Sequence, residues 1–386
     1  MSTPSKESGA ASSKGKPESV PRMVLDLALR CVLVFVVMEG CASIWEVGSQ
    51  IAGFTRTYLS QTQGHNFDPD LGWVGKPNRR MDDAFGPGKH LKISSQGYRS
   101  TRDFDEKTPA GKVRILCTGD SFTWGNGVGN GAPWVELLSP LDPKIEAINM
   151  GQSGYSLDQI YLRYKREGDR FEHDVHVLSF IGLDFDRMRN THFLDMPKPR
   201  LRLNEQEIEV ENSPIPEPSD LKIWWVGAAK YLFNISLFGK LMGLYLEQSG
   251  VPELGDRTVS EDRPLKDLIL RVFEEVAKLS AGRDATFVAI CLPVSTDYRP
   301  EERLDGWRAE LRMELEKRNI HFVDLIDSFR AMPPPRAEAL FIQSNTVMFE
   351  AGHYNETGHQ YVASATYREL CDIPEVAVKL PGCGSK

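Results

Sequence analysis

The sequence is poor in cysteine, has no metal-ligand spacing and shows no concentration of positive charge. Six cysteines in 386 residues do not form the disulfide framework of a small secreted domain. No Cys-x-x-Cys pair or His/Cys cluster indicates structural zinc, and no cofactor is expected. The formal net charge is −8, and no basic stripe is visible. The sequence therefore lacks the electrostatic footprint of a nucleic-acid-binding protein.

The composition is that of a globular chain, with 41% hydrophobic and 26% charged residues. This excludes a wholly disordered, collagen-like or coiled-coil protein. Only one stretch is apolar enough to be considered as a membrane span, which excludes a polytopic membrane protein. The length corresponds to one large domain or two modest ones.

The apolar stretch lies near the N-terminus, over residues 23–47. Residues 1–22 are rich in Ser, Lys, Gly and Pro and predict a disordered tail. The uninterrupted apolar run Cys31–Met38 is bracketed by Arg30 and Glu39, which can reach opposite membrane faces. We favour a signal-anchor helix, with the bulk of the chain outside the cytoplasm. Two alternatives stay open: a cleaved secretion signal, and a buried or amphipathic helix of a cytoplasmic protein.

The cysteines are interpreted according to this location. Outside the cytoplasm, Cys371 and Cys383 can form a disulfide. Cys117 and Cys291 lie in apolar, strand-like runs and are expected to be core thiols.

Residues 111–373 alternate short apolar runs with amphipathic stretches. Five runs predict strands: Val113–Thr118, Ile145–Asn149, Val175–Ile181, Ala285–Leu292 and Ile320–Val323. Each is short, continuous and partly β-branched, as strands covered on both faces are. Helical patterns occur at Pro264–Leu279, Arg299–Arg318 and Asn355–Leu370. This alternation predicts an α/β fold with a parallel sheet of about five strands, whose ligand lies at the carboxyl ends of the strands.

The flanks and one interruption complete the predicted domain organisation. Residues 48–110 predict a connector and an N-terminal extension, and residues 374–386 a C-terminal tail. Residues 187–262 form an insertion, in which Leu201–Val210 alternates and predicts a small hairpin. Ile223–Glu247 is aromatic and apolar at helical spacing. We interpret it as a helical excursion packed on the sheet, with a lid or partner surface as the alternative.

Two short motifs whose residues are suited to catalysis follow the first two predicted strands. In Gly119-Asp120-Ser121, a serine on a glycine-containing turn can present its hydroxyl at the sheet edge. Attack by serine needs a base and amide donors for the oxyanion. The second block, Asn149-Met150-Gly151, offers the Gly151 N–H as such a donor. Each block alone also has a structural explanation, a helix N-cap for Ser121 and a tight turn for Gly151.

Two further blocks follow the third and fifth predicted strands. The third strand leads into Gly182-Leu183-Asp184, and the fifth is followed by Glu350-Ala351-Gly352-His353. His353 precedes a predicted helix, so its ring can face the strand ends as a base. Glu350, three residues earlier, can orient that ring. His359 lies inside the helix and is expected to be a surface or packing residue.

Taken in order, these four blocks resemble the SGNH (GDSL-type) hydrolase superfamily. Asp68–Trp73, Lys76-Pro77-Asn78 and Ser95–Arg99 are similar to the segment that precedes the catalytic block in membrane-anchored bacterial SGNH-like proteins. Residues 199–216 are similar to their hairpin insertion, and the resemblance covers about residues 66–372. It implies a three-layer, flavodoxin-like parallel sheet with a helical and hairpin insertion.

The resemblance also implies a role for individual residues. Ser121 would be the nucleophile, His353 the base and Glu350 the acid, in place of the usual aspartate. The backbone N–H groups of Ser121 and Gly151 would hold the oxyanion, and Asp120 would brace the nucleophile turn.

The third block departs from the family pattern, Gly-Asn-Asp, in which the Asn side chain completes the oxyanion hole. Here Leu183 stands at that position, before Asp184. We expect the Leu183 side chain to be partly buried and to point at the pocket beside Ser121. Loss of one donor costs about 3 kcal/mol in a comparable oxyanion hole.

The implied activity is hydrolysis of an acyl ester, or O-acyl transfer, on envelope glycans or lipids. The expected partners are this substrate, as a polysaccharide or lipid ester, and a membrane through the N-terminal helix. The alternative is a catalytically weak or inactive domain that binds a glycan or an envelope partner. Leu183 favours the alternative, whereas the presence of both Ser121 and His353 favours the enzyme.

Overall fold

The computed structural model describes residues 24–25, 27–37, 40, 64–193, 196–205, 207–215, 262–298, 305–343 and 351–384. Contacts divide the chain into two compact units, residues 1–55 with 228–251 and residues 56–227 with 252–386. The second unit contains the predicted α/β domain.

The described strands are β1 (His65–Asp68), β2 (Gly72–Gly75), β3 (Arg80–Met81), β4 (Leu91–Lys92), β5 (Val113–Thr118), β6 (Ile145–Asn149), β7 (Val175–Phe180), β8 (His192–Phe193), β9 (Met196–Pro197), β10 (Arg200–Asn204), β11 (Glu207–Glu211), β12 (Thr286–Cys291) and β13 (His321–Asp324). The described helices of this unit are α1 (Ser121–Trp124), α2 (Leu138–Leu141), α3 (Leu157–Glu167), α4 (Leu183–Arg187), α5 (Arg263–Ala281), α6 (Asp305–Lys317), α7 (Leu325–Arg330), α8 (Pro334–Glu338), α9 (Glu356–Cys371) and α10 (Pro374–Ala377). Short 3₁₀ helices occur at Gly168–Arg170 and Pro381–Gly384.

A five-stranded parallel sheet forms the centre of the larger unit. Its strand order is β13-β12-β7-β5-β6, and every neighbouring pair is parallel. Counted along the chain within the sheet, this order is the doubly wound 2-1-3-4-5 of flavodoxin-like folds, with its switch point between β5 and β7. The predicted fold class is therefore confirmed, and the ligand is expected beside the carboxyl end of β5.

Helices cover both faces of this sheet. Leu116 and Leu178 belong to one core, which α3, α5 and α6 complete. Ile115 and Val177 belong to a second core on the other face, which α2, α7 and α9 complete. Neighbouring residues of one strand thus enter different cores, which explains why the strands read as continuous apolar runs.

The N-terminal extension packs on the α/β domain from residue 64 onward. Trp73 is 3% exposed, and its Nε1 donates to the carbonyl of Ser153 at 2.8 Å. Tyr98 is fully buried, and its hydroxyl donates to the Glu167 carboxylate at 3.0 Å. The described part of this stretch is therefore an extension that packs on the domain. The connector stays a prediction, because residues 48–63 lie outside the described residues.

The predicted hairpin of the insertion is confirmed. Strands β10 and β11 pair antiparallel, with Leu201 opposite Val210. Ile223–Glu247 lies outside the described residues, so its two interpretations stay predictions.

The predicted C-terminal tail is folded over residues 374–384. Val376 and Leu380 are buried in the second core, which corrects the prediction of a tail. A disulfide joins Cys371 to Cys383, with their Cα atoms 5.1 Å apart, and confirms the anticipated pair. Cys117 and Cys291 are buried free thiols, as predicted.

The apolar N-terminal stretch is helical at residues 24–25 and 27–37, and its apolar side chains are exposed. Within the described ranges, no helix combines the length and apolar character needed to cross a membrane. Asp26, Met38 and Glu39 lie outside the described residues, as do residues 41–47. The membrane anchor stays a prediction.

Candidate active site

Ser121 lies at the carboxyl end of β5, beside the switch point of the sheet. It is the first residue of α1, whose N-cap is Asp120, and the Asp120 carboxylate accepts the N–H of Phe122 at 2.9 Å. The turn ends at Gly125, whose φ of 90° lies in the left-handed region that favours glycine. Because Ser121 opens the helix, its N–H has no acceptor within the helix. The turn therefore offers both a hydroxyl and a backbone donor.

The His353 imidazole meets the Ser121 hydroxyl, with 2.9 Å between Nε2 and Oγ. Gly352, at a φ of 86°, turns the chain before His353, and the His353 carbonyl accepts the N–H of Ile342 at 2.9 Å. The Phe122 ring packs on the imidazole, with 4.8 Å between the ring centroids. The predicted proximity of Ser121 and His353 is confirmed, and a hydroxyl hydrogen-bonded to an imidazole is the geometry of a nucleophile and its base.

Glu350 and His359, the two other residues singled out near His353, are described to different extents. Glu350 lies outside the described residues, so its role as the acid stays a prediction. His359 is buried in α9, and its Nδ1 accepts the N–H of Trp134 at 3.2 Å. Burial lowers the pKa of His359 to about 3, so the ring is neutral and has the predicted packing role.

Gly151 touches the nucleophile turn, but its N–H is already engaged. A Cβ added at Gly151 would lie 2.6 Å from the Trp124 nitrogen, so only glycine permits this approach. The Gly151 N–H donates to Asn149 Oδ1 at 3.0 Å, and Asn149 Nδ2 donates to the Thr123 carbonyl at 2.8 Å. In this conformation the Asn149 side chain occupies the Gly151 N–H, and its role as an oxyanion donor stays a prediction.

Leu183 is the first residue of α4, and it is 56% exposed. The expectation of a partly buried side chain is therefore wrong. The physical reason is the rotation of this one-turn helix, which buries Asp184 and Phe185 completely and leaves Leu183 in solvent. Substitution at this exposed position is expected to change the free energy of unfolding by less than about 0.5 kcal/mol.

Two buried carboxylates beside the nucleophile turn share one arginine. Arg187 Nη1 lies 2.9 Å from Asp184 Oδ1 and 3.8 Å from Asp120 Oδ2. The other Asp184 oxygen accepts the N–H of Ile181 at 3.0 Å. Burial raises the pKa of Asp120 to about 6, against the opposing charge of Arg187. Burial and the neighbouring Asp120 raise the pKa of Asp184 well above its usual value. The cluster links the nucleophile turn to α4.

Arg187→Gln is expected to lower the free energy of unfolding by about 3 kcal/mol at pH 8, because two buried carboxylates lose their counter-charge. Both carboxyl groups have pKa values in the folded state above those of the unfolded chain, so the folded state binds more protons. Their contribution to stability is greatest at low pH and falls as the pH rises through about 6. The loss should therefore be smaller at pH 5 than at pH 8.

Urea unfolding at both pH values measures this effect. Arg80→Gln is the control, because Arg80 is exposed and pairs with the exposed Asp82. It should change the free energy of unfolding by less than about 0.5 kcal/mol. If Arg187→Gln lowers the free energy of unfolding equally at pH 5 and pH 8, Arg187 is not the counter-charge that Asp120 and Asp184 share.

Sequence reasoning missed three residues of the site. Asn149 engages the Gly151 N–H, and Arg187 lies beside Asp120 and Asp184. Arg99 donates to the Trp124 carbonyl at the end of the nucleophile turn. Asn149 was visible as the last residue of a predicted strand, and Arg99 as the end of a motif in the extension. Arg187 follows the third block without any pattern that separates it from a surface arginine. In the part of the chain that the structure describes, no cluster of His, Cys, Asp and Glu could hold a metal ion.

Comparison with known proteins finds no matching family model and no matching curated protein. Among solved structures, an α/β hydrolase from the metagenome of Lake Arreo, Spain, is 15% identical, with a TM-score of 0.38 over 67% of this chain and 95% of that one. A member of the lipolytic G-D-S-L family from Veillonella parvula is 14% identical, with a TM-score of 0.35 over 66% and 96%. An acetylxylan esterase from Geobacillus stearothermophilus is 13% identical, with a TM-score of 0.36 over 68% and 96%. By its own strand order and its Ser121–His353 contact, the chain has the fold and the serine–histidine arrangement that its resemblance to the SGNH (GDSL-type) hydrolases implies.

Proposed function

We propose that this protein is a serine-dependent acyl-ester hydrolase. The observation that carries the proposal is the 2.9 Å contact between Ser121 Oγ and His353 Nε2 at the carboxyl end of β5. The imidazole takes the hydroxyl proton as Oγ attacks the ester carbonyl, and returns it to the alcohol as the C–O bond breaks. Water, deprotonated by the same imidazole, then attacks the acyl carbon. The bond to Ser121 Oγ breaks, the acid leaves, and the imidazole returns the proton to Oγ.

The oxyanion of this reaction has fewer donors than the resemblance implies. The Ser121 N–H is available by its position at the start of α1, whereas the Gly151 N–H donates to Asn149. The Leu183 side chain has no donor to offer. Because each lost donor costs about 3 kcal/mol of transition-state stabilisation, we infer slow turnover unless Asn149 releases the Gly151 N–H when substrate binds.

A second candidate function is a domain that binds a glycan or an envelope partner without turnover. The occupied Gly151 N–H and the missing carboxamide at Leu183 favour it. The hydrogen bond between Ser121 and His353 favours the hydrolase, because simple binding does not require a hydroxyl activated by an imidazole. We therefore place the hydrolase first.

We further propose that the domain works outside the cytoplasm, attached to a membrane, on O-acyl groups of envelope glycans or on lipid esters. Transfer of the acyl group to a sugar hydroxyl in place of water is part of this proposal. The disulfide between Cys371 and Cys383 supports the location, since disulfides persist in oxidising compartments. The exposed apolar side chains of residues 24–25 and 27–37 support the attachment. Fractionation and thiol labelling test both: recovery in the soluble cytoplasmic fraction, with both cysteines reduced, would contradict the location.

A fluorophosphonate probe tests the hydrolase itself. The probe is expected to label the wild-type protein on Ser121, as mapped by peptide mass spectrometry, and not to label Ser121→Ala. His321→Gln is the control for loss of a histidine, because His321 begins β13 at the opposite edge of the sheet, and it should label at the wild-type rate. Labelling of Ser121→Ala at that same rate would contradict the proposal. A folded wild-type protein that takes no label would favour the binding domain.

A further inference from the structure

Arg99, a residue of the N-terminal extension, is buried against the C-terminal end of the nucleophile turn. Its side chain is 1% exposed. One guanidinium nitrogen, Nη1, donates to the carbonyl of Trp124 at 3.0 Å and to that of Gly125. The other, Nη2, donates to the carbonyl of Val128. Because α1 ends at Trp124, no following helical turn donates to the carbonyls of Trp124 and Gly125. Arg99 donates to both of them, and to the Val128 carbonyl beyond the turn.

The same peptide groups hold the backbone of Ser121. The N–H groups of Gly125 and Asn126 both donate to the Ser121 carbonyl, at 2.9 and 3.1 Å. A Cβ at Gly125 would lie 3.2 Å from Arg99 Nη1, so the guanidinium lies directly against this backbone. Arg99 therefore fixes the peptide planes that in turn fix Ser121.

The extension holds Arg99 rigidly. Next to it, Tyr98 is fully buried and donates its hydroxyl to Glu167 at 3.0 Å. The Ser94 N–H donates to the Tyr98 carbonyl at 2.9 Å, which closes the turn before Arg99. The Phe85 ring lies 5.3 Å from the guanidinium carbon. A segment outside the parallel sheet thus supplies a fixed side chain to the turn that carries the nucleophile.

We propose that Arg99 is a positioning residue of the nucleophile turn, which it holds through the carbonyls of Trp124, Gly125 and Val128. This contact keeps the Ser121 hydroxyl within hydrogen-bond distance of His353. This inference rests on the proposed function. Proton transfer across the 2.9 Å contact is sensitive to geometry, because a displacement of about 1 Å can cost about a hundredfold in rate. The extension is thereby a working part of the active site.

The test compares Arg99→Met with Arg114→Met in the full-length chain. Arg114 is a matched control because it is also fully buried and also donates to three backbone carbonyls, besides its ion pair with Glu146. It lies at the amino end of β5, at the opposite edge of the sheet from Ser121. Both substitutions remove a buried guanidinium, but only one of them affects the nucleophile turn.

We expect Arg99→Met to lower kcat for an aryl acetate, and the rate of fluorophosphonate labelling, by about a hundredfold per folded molecule. KM should change by less than about threefold, since Arg99 acts on the turn and not on the substrate. Arg114→Met should melt at a lower temperature and keep the wild-type kcat. Wild-type kcat for folded Arg99→Met would overturn the proposal.

Two further variants keep the test decisive if Arg99→Met folds poorly. Arg99→Lys retains a buried cation but has one nitrogen where the guanidinium uses two, so it should fold and lose about tenfold in kcat. Millimolar guanidinium ion should restore part of the rate of Arg99→Ala and leave that of Arg114→Ala unchanged. Arg99→Lys with full activity, together with no rescue of Arg99→Ala, would contradict a positioning role.

Hydrogen exchange separates failure of this inference from failure of the proposed function. If the wild-type protein takes no label on Ser121, the proposed function fails, but the amides of Trp124, Gly125 and Asn126 still report on the turn. Their exchange should be about tenfold faster in Arg99→Met than in Arg114→Met or the wild type. Unchanged exchange of these amides would overturn the positioning role, whatever the activity.

Discussion

Ser121→Ala is expected to lower kcat/KM for an aryl acetate by about 10⁴-fold, and His353→Gln by a similar factor. The two side chains are in contact at 2.9 Å, and the proposed mechanism assigns them to the same proton transfer. Loss of either one therefore removes the contribution of both. The double variant should be no slower than either single variant.

Hydrolysis rates of the wild type, the two single variants and the double variant form a double-mutant cycle that measures this coupling. His321→Gln again controls for the loss of a histidine and should keep the wild-type rate. If the losses multiply in the double variant, the two side chains act independently. Wild-type rates in both single variants and in the double variant would instead make the contact between Ser121 and His353 structural, and the binding domain would become the better proposal.

The strands could be predicted from the sequence where the sheet is covered on both faces. Strands β5 and β6 have the predicted bounds, and the ends of β7, β12 and β13 differ from the predicted ones by one residue. Burial on both faces favours apolar residues along the whole strand, so the pattern does not depend on alternation. The buried polar residues in these strands, such as Arg114 and Asn149, do not hide the apolar runs. The extension has no such pattern, because its described strands are short and pair with one another rather than with the central sheet.

The location of the site could also be predicted, because the carboxyl ends of parallel strands meet at one edge. That rule brought Ser121 and His353 together. The hydrogen bonds within the site could not be predicted in the same way. The occupied N–H of Gly151 depends on the rotamer of Asn149, and the exposure of Leu183 depends on the rotation of a one-turn helix. Arg99 was missed because an arginine in a polar turn has the sequence pattern of a surface residue.

Gly151→Ala is expected to have a large structural effect at the site, although it adds only one methyl group. The added Cβ would lie 2.6 Å from the Trp124 nitrogen and 2.8 Å from the Thr123 carbonyl carbon. Both atoms belong to the backbone, so no side-chain rotation can relieve the contact. The loop after β6 must therefore separate from α1, which also strains the hydrogen bonds that Asn149 makes to Gly151 and Thr123. We expect a loss of about 2 to 3 kcal/mol in the free energy of unfolding and of about a hundredfold in aryl acetate hydrolysis.

Gly306→Ala is the matched control for Gly151→Ala, because it adds the same methyl group in α6, where the new Cβ meets no atom from another part of the fold within 4 Å. Alanine is favoured over glycine in a helix by about 1 kcal/mol, so this variant should melt slightly above the wild type and hydrolyse the ester at the same rate. Thermal unfolding and initial rates measure both effects. If Gly151→Ala melts and hydrolyses like Gly306→Ala, the loop after β6 does not press on the nucleophile turn. The close approach that requires glycine at position 151 would then have no part in positioning Ser121.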